Sequence, residues 1–252
     1  MKRSLLIAIS VLMINKVYAV DRPSHLVLDI SKKETISSSN EDKVRPIASI
    51  TKLMTALVIV ESKLSMSEAV DYKGGIWRNK KVSRSDLLES LLIKSDNQAA
   101  EALANSYPGG REVFINTMNS RAKSLGMINT GFEDPSGLGR RNISTAKDLV
   151  ILVSKTHEHP EISNTSASKF FKVEIKNKKK ITYMTVGNTN SHLLKIFDNI
   201  TLSKTGYTDP AGRCLVIIVE KNQNKYAIII LGEKTSGDRL YRARNLINMV
   251  SE

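Results

Sequence analysis

Along the 252 residues the apolar positions change period once. In the first half they recur at helical spacing. Ile50, Leu53, Met54, Leu57 and Val58 fall together and predict one buried helix face. Ser83 with Asp86 has the form of a capping box and opens a helix through Ile93. Segments 97–105 and 113–125 predict two more helices, the second halted by Gly126. Thr145 with Asp148 caps another, which runs towards Pro160. Beyond it the period becomes 2. Phe171, Val173 and Ile175 alternate with Lys172, Glu174 and Lys176, and Ile181 and Tyr183 follow a polar turn. Segments 215–219 and 226–231 are apolar strands joined by Asn222-Gln223-Asn224, a hairpin, and 239–250 closes the chain as a helix. A single strand at 25–30 precedes all the helices and leads into a polar, turn-rich stretch at 31–42. This order predicts an α+β fold, an antiparallel sheet flanked by helices. A mostly helical lobe (about 66–164) is expected to be inserted into a sheet lobe (about 20–65 and 165–252).

Composition narrows the class. With 41% apolar and 25% charged residues the chain is neither disordered nor collagen-like. One cysteine excludes an intramolecular disulfide framework and a cysteine-based zinc cluster. A formal charge of +13 points to an anionic partner: nucleic acid, membrane or another polyanion. The N-terminus chooses among these. Met1-Lys2-Arg3 is a basic start, 4–14 is an apolar run too short to span a bilayer, and Val17-Tyr18-Ala19 is a small-x-Ala cleavage site. Residues 1–19 therefore read as a secretory signal peptide, with 20–252 as the mature chain. Losing Lys2, Arg3 and Lys16 takes the charge from +13 to +10. An exported protein meets no chromosome, which removes nucleic acid as the partner. No later apolar run reaches transmembrane length, so the mature chain is expected to carry no membrane anchor and to be soluble outside the cytoplasm.

Ser49-Ile50-Thr51-Lys52 is a Ser-x-x-Lys tetrapeptide. Three others occur, at Ser120/Lys123, Ser144/Lys147 and Ser166/Lys169, so the pattern alone fits a plain helix cap as well as a nucleophile. Only Ser49 opens a strongly apolar helix, where a residue three positions on shares its face and the dipole end favours developing negative charge. Ser95-Asp96-Asn97 follows at a polar break between helices, and Lys204-Thr205-Gly206 at the end of a strand. The three motifs in this order are the signature of penicillin-binding proteins and class A β-lactamases.

The chain resembles the low-molecular-mass penicillin-binding proteins, the serine DD-peptidases, and within them the short soluble DD-endopeptidase branch. The likeness runs through 48–56 and 95–100, through Leu125-Gly126-Met127 and Asp134-Pro135-Ser136-Gly137-Leu138, and on to Asn188-Thr189-Asn190, Lys204 to Thr208 and Ala211-Gly212. It implies a penicillin-binding-protein/β-lactamase-like fold and a cofactor-free hydrolase of cell-wall peptidoglycan peptides that is acylated by β-lactam antibiotics in the periplasm. The chemistry needs a base for Ser49, and Lys52 can serve if neutral, a state favoured by burial and by a second cation such as Lys204. The resemblance further implies that Ser95 relays a proton to the leaving amine and that Asn97 holds the substrate amide. Lys204 and Thr205 would bind its carboxylate, and Gly206 would spare it a clash at the strand edge. The N–H groups of Ser49 and Tyr207 would form an oxyanion hole.

Other features read more simply. His157-Glu158-His159 offers two histidines on different sides of a helix with no third ligand, so a solvated helix end is favoured and no metal is assigned. Cys214 reads as a buried structural thiol, 176–180 as a solvated basic turn, and Asp96 as a carboxylate orienting its loop. A β-lactamase would carry its deacylating glutamate in a Glu-x-x-Leu-Asn stretch, which this sequence lacks. A non-catalytic penicillin or peptide sensor would not need all the motif side chains, which are intact. A DD-carboxypeptidase releasing terminal D-Ala is the nearest alternative. The endopeptidase expectation rests on the 46 residues that follow Gly206, room for a hairpin and one helix.

Overall fold

A computed structural model describes residues 22–74, 76, 77, 80–177 and 180–251. The predicted signal peptide lies outside them, as do the side chains of 176–180. Two strands open the fold, β1 (Ser24–Asp29) and β2 (Glu34–Ser39), and a short β3 (Arg45–Pro46) leads to a 3₁₀ turn, Ala48–Thr51. That turn runs into α1 (Lys52–Glu61). β4 (Ala69–Asp71) and β5 (Lys81–Ser83) form a small ribbon before α2 (Arg84–Glu89), a π-helical turn (Ser90–Lys94), α3 (Asn97–Asn105) and α4 (Gly110–Ser124). After β6 (Ile143–Ser144) come α5 (Ala146–His157), α6 (Pro160–Ala167) and the hairpin β7 (Phe170–Asn177) and β8 (Lys180–Gly187). The chain closes with α7 (Ser191–Ile196), β9 (Ile200–Thr208), β10 (Gly212–Lys221), β11 (Asn224–Glu233) and α8 (Ser236–Ser251).

The main sheet has the order β2-β1-β11-β10-β9 and is antiparallel throughout. Both of its faces are covered. Val27, Leu215, Ile217, Val219, Ile228 and Ile230 pack against Ala243, Leu246, Ile247 and Val250 of α8. Cys214, Val216, Ile218 and Ile229 face a larger core with α1 and α5. This double coverage is why β10 and β11 read as continuous apolar runs.

Local signals account for the helix ends. Ser83 accepts a hydrogen bond from the Asp86 N–H and Thr145 from the Asp148 N–H. Gly126, at φ +85°, takes the left-handed position past α4. The β10–β11 turn is two residues, Asn222 and Gln223, both with positive φ, matching the right-handed twist of the strands.

Three expectations need correction. The first helix does not bury one face: residues 52–59 are all buried, because α1 runs through the middle of the core and packs on every side. The polar stretch 31–42 holds a strand, β2, whose exposed residues show no apolar alternation because it is a solvent-facing edge. Lys204-Thr205-Gly206 lies within β9 and not at its end.

Candidate active site

Ser49 sits in the 3₁₀ turn immediately before α1, not in the α-helix itself. Ala48 is held at φ +47°, a costly conformation for a residue with a side chain. The surrounding backbone enforces it. A Cβ at Gly137, itself at φ +85°, would stand 2.0 Å from the Ala48 carbonyl oxygen and 2.9 Å from the Ser49 nitrogen. A Cβ at Gly206 would meet the Ile47 carbonyl oxygen at 2.9 Å and the Ser49 nitrogen at 3.2 Å. The chain's own nucleophile turn therefore gives a further reason for a glycine at 206.

Lys52 lies one turn on and is fully buried. Its Nζ is 2.9 Å from Ser49 Oγ, 2.7 Å from Asn97 Oδ1 and 2.5 Å from the Ser136 carbonyl oxygen. Burial lowers its pKa to about 7, against the pull of Asp134, Asp96 and Glu101. A neutral amine has two N–H groups and one lone pair. The Asn97 and Ser136 oxygens can only accept, so they take both N–H groups, and the lone pair is left for the Ser49 hydroxyl.

Lys204 is the second buried lysine. Its Nζ donates to Ser95 Oγ at 2.8 Å and to the Thr205 carbonyl at 3.0 Å. Burial, then Lys52, then Arg239 push its pKa well below the ordinary lysine value. Thr205 Oγ1 lies 2.7 Å from Thr189 Oγ1. Asn188 and Asn190 hold that segment, to the Ser166 and Ser168 carbonyls and to Ser203 Oγ.

The Ser95-Asp96-Asn97 turn is built by Asp96. Its Oδ1 caps α3 through the N–H groups of Gln98 and Ala99, while its Oδ2 accepts from Tyr72 Oη at 2.7 Å and Ser90 Oγ at 2.9 Å. Those four bonds leave Ser95 in the left-handed region, at φ 62°, with its hydroxyl towards Lys204. Asp96 thus orients its loop.

Sequence reasoning missed three contributors. The Ser136 carbonyl binds Lys52, and its position comes from Asp134. Burial alone would raise that carboxyl, but donors from Ser136, Gly139 and Gly137 hold it down at about 2. Asn142 Nδ2 adds another bond at 2.6 Å. Tyr72, fully buried, braces Asp96 from a segment with no motif. Arg239, in the first turns of α8, adds positive potential near Lys204. Of these only the 134–138 segment carried a signal, through its turn chemistry.

The remaining candidates stand apart. His157 Nε2 lies 2.9 Å from Thr201 Oγ1, and His159 Nε2 lies 3.7 Å from Glu61. Among the described residues no cluster of three histidine, cysteine or acidic side chains could hold a metal ion. Cys214 is buried, which raises its thiol pKa to about 11.

With this geometry in place, the comparisons with known proteins are specific. The family model for D-alanyl-D-alanine carboxypeptidase, Peptidase_S11, matches residues 13–235. The chain is 39% identical over 220 residues to a D-alanyl-D-alanine endopeptidase of Escherichia coli, covering 82% of this chain and 70% of that one. A Pseudomonas aeruginosa protein of the same name is 38% identical over 221 residues, with the same coverage. Penicillin-binding protein D2 of Listeria monocytogenes, solved in its cefotaxime-bound form, superposes with a TM-score of 0.80 at 30% identity, over 91% of this chain and 96% of that one.

Proposed function

The chain belongs to the D-alanyl-D-alanine carboxypeptidase family and is a serine DD-peptidase; from that premise we propose that Ser49 is its nucleophile, Lys52 the base and Ser95 the proton relay. The observation that carries this assignment is the Lys52 amine, 2.9 Å from Ser49 Oγ with a pKa lowered to about 7. Ser49 Oγ attacks the carbonyl of a D-Ala residue while its proton passes to Lys52. The oxyanion lies between the N–H groups of Ser49 and Tyr207. Lys204 and Thr205 receive the carboxylate on the leaving side. That negative charge restores the affinity of Lys204 for a proton. The proton that Lys52 took from Ser49 passes by way of Lys204 and Ser95 to the leaving amine, which leaves Lys52 neutral once more. Asn97 holds the acyl strand. Water then hydrolyses the acyl-enzyme, with Lys52 again as base.

We assign the preferred substrate as the D-Ala–diaminopimelate cross-link of peptidoglycan, with terminal D-Ala release as the second activity. The relatives at 39% and 38% identity, both named endopeptidases, support this order. Penicillins, which mimic D-Ala-D-Ala, should acylate Ser49, a reading supported by the cefotaxime-bound relative. The signal sequence read at 1–19 supports action in the periplasm. The β-lactamase reading is disfavoured, because Asp134 is turned into backbone donors and Glu133 pairs with Arg141. The test gives the enzyme a cross-linked muropeptide dimer and, separately, a pentapeptide monomer. Dimer should be converted to monomers faster than D-Ala is released. Rapid D-Ala release with untouched dimer would make the protein a carboxypeptidase.

A further inference from the structure

β9 carries the proposed site residues in a line. Lys204 and Thr205 take the carboxylate of the leaving residue, and Tyr207 offers its N–H to the carbonyl oxygen. Whatever lies past Tyr207 therefore faces the acyl strand, the part of the substrate that stays on Ser49. Three side chains converge there. Tyr207 is 46% exposed and is paired in register with Arg213 on β10. The Arg213 guanidinium lies over the Tyr207 ring, its Cζ 3.5 Å from the ring centroid. The Tyr207 hydroxyl donates to Asp209 Oδ1 at 2.7 Å and fixes that carboxylate beside the ring.

The charges of this group are not spent on each other. Arg213 Nε is buried and without a hydrogen-bond partner. Among the described residues no carboxylate lies within ion-pair distance of Arg213 or of Arg239, the cation next to it. Asp209 has one oxygen on the Tyr207 phenol and, among the described residues, no cation within ion-pair distance. The result is an anion receiver and a cation receiver mounted on one exposed aromatic plate.

We propose that Tyr207, Asp209 and Arg213 form a subsite on the acyl side of Ser49 for the zwitterionic end of a diamino acid side chain. That end is a carbon bearing both an ammonium and a carboxylate. Arg213 takes the carboxylate through its planar fork, Asp209 takes the ammonium, and the methylene stem lies along Tyr207. A diaminopimelate in the acyl strand has this end free when the cross-link uses only its D-Ala carbonyl. A lysine has the ammonium alone, and an amidated diaminopimelate lacks the negative charge. The subsite would therefore read which diamino acid the acyl strand carries. This inference rests on the peptidase reading above.

The experiment uses two synthetic cross-linked dimers, identical except that the acyl-strand diaminopimelate side-chain carboxylate is free in one and amidated in the other. The wild-type enzyme should cleave the free acid about tenfold faster in kcat/KM, the scale of one charge-assisted contact at a half-exposed site. Arg213→Gln should bring that ratio close to one. Asp209→Asn should do the same for a pair differing by acetylation of the side-chain amine. A ratio near one in the wild type, or one that Arg213→Gln leaves unchanged, would overturn the subsite. Arg213→Lys, which keeps the charge without the planar stack, provides a second variant should Arg213→Gln fold poorly, and should lower the ratio. A wild type that cuts neither dimer would overturn the cross-link reading itself, and the subsite with it.

Discussion

At Lys52 the inventory of donors and acceptors, together with burial, decides the chemistry. Two obligate acceptors, Asn97 Oδ1 and the Ser136 carbonyl, hold the amine so that its lone pair can meet only Ser49. The pKa of about 7 is lowered by burial, so the free amine grows as pH rises through 7. Acylation by a penicillin should therefore accelerate across that range and level off above it, until other groups titrate. Because Lys52 and Lys204 sense each other, the midpoint belongs to the pair. Lys52→Arg keeps a cation that cannot give up its proton near neutral pH, and acylation should fall by orders of magnitude. Stopped-flow acylation across pH checks both, and a variant within tenfold of wild type would require another base.

At the level of elements, three pieces of chain meet on one turn. The turn before α1 is gripped by the 134–139 loop on one side and by β9 on the other. Gly137→Ala places a methyl group against the Ala48 carbonyl and asks a left-handed position to take a side chain. The expected cost is about 1–3 kcal/mol of stability, with slower acylation because the nucleophile turn must shift. Thermal unfolding and penicillin acylation of that variant measure the two effects, and a fully stable, fully active Gly137→Ala would contradict the packing argument. The motifs of this site were legible in the sequence because their residue types are dictated by chemistry: Ser49, Lys52, Ser95, Asn97, Lys204 and Thr205 converge. What supports them was not. Tyr72, Arg239 and the Ser136 carbonyl act through tertiary placement, and neither periodicity nor spacing reports on a buried hydroxyl or a backbone oxygen. The helix caps at Ser83 and Thr145 were legible because they are local. Strand β2 escaped notice because an exposed edge needs no apolar pattern.

For the molecule as a whole, a central sheet buried on both faces provides the rigid frame, and the site lies where its edge strand β9 meets the helices. The net positive charge suits an anionic cell wall, and ion pairs at exposed charges weaken with salt. Sedimentation with isolated sacculi should therefore weaken between low and high salt, and salt-insensitive sedimentation would contradict an electrostatic attachment. In this frame we assign Ser49, alone among the four Ser-x-x-Lys serines, as the nucleophile. Incubation with benzylpenicillin, proteolysis and mass spectrometry address it directly. One penicilloyl group is expected, carried by the peptide containing Ser49 and absent from Ser49→Ala; a group found on Ser120, Ser144 or Ser166, or retained by Ser49→Ala, would overturn the assignment of the nucleophile.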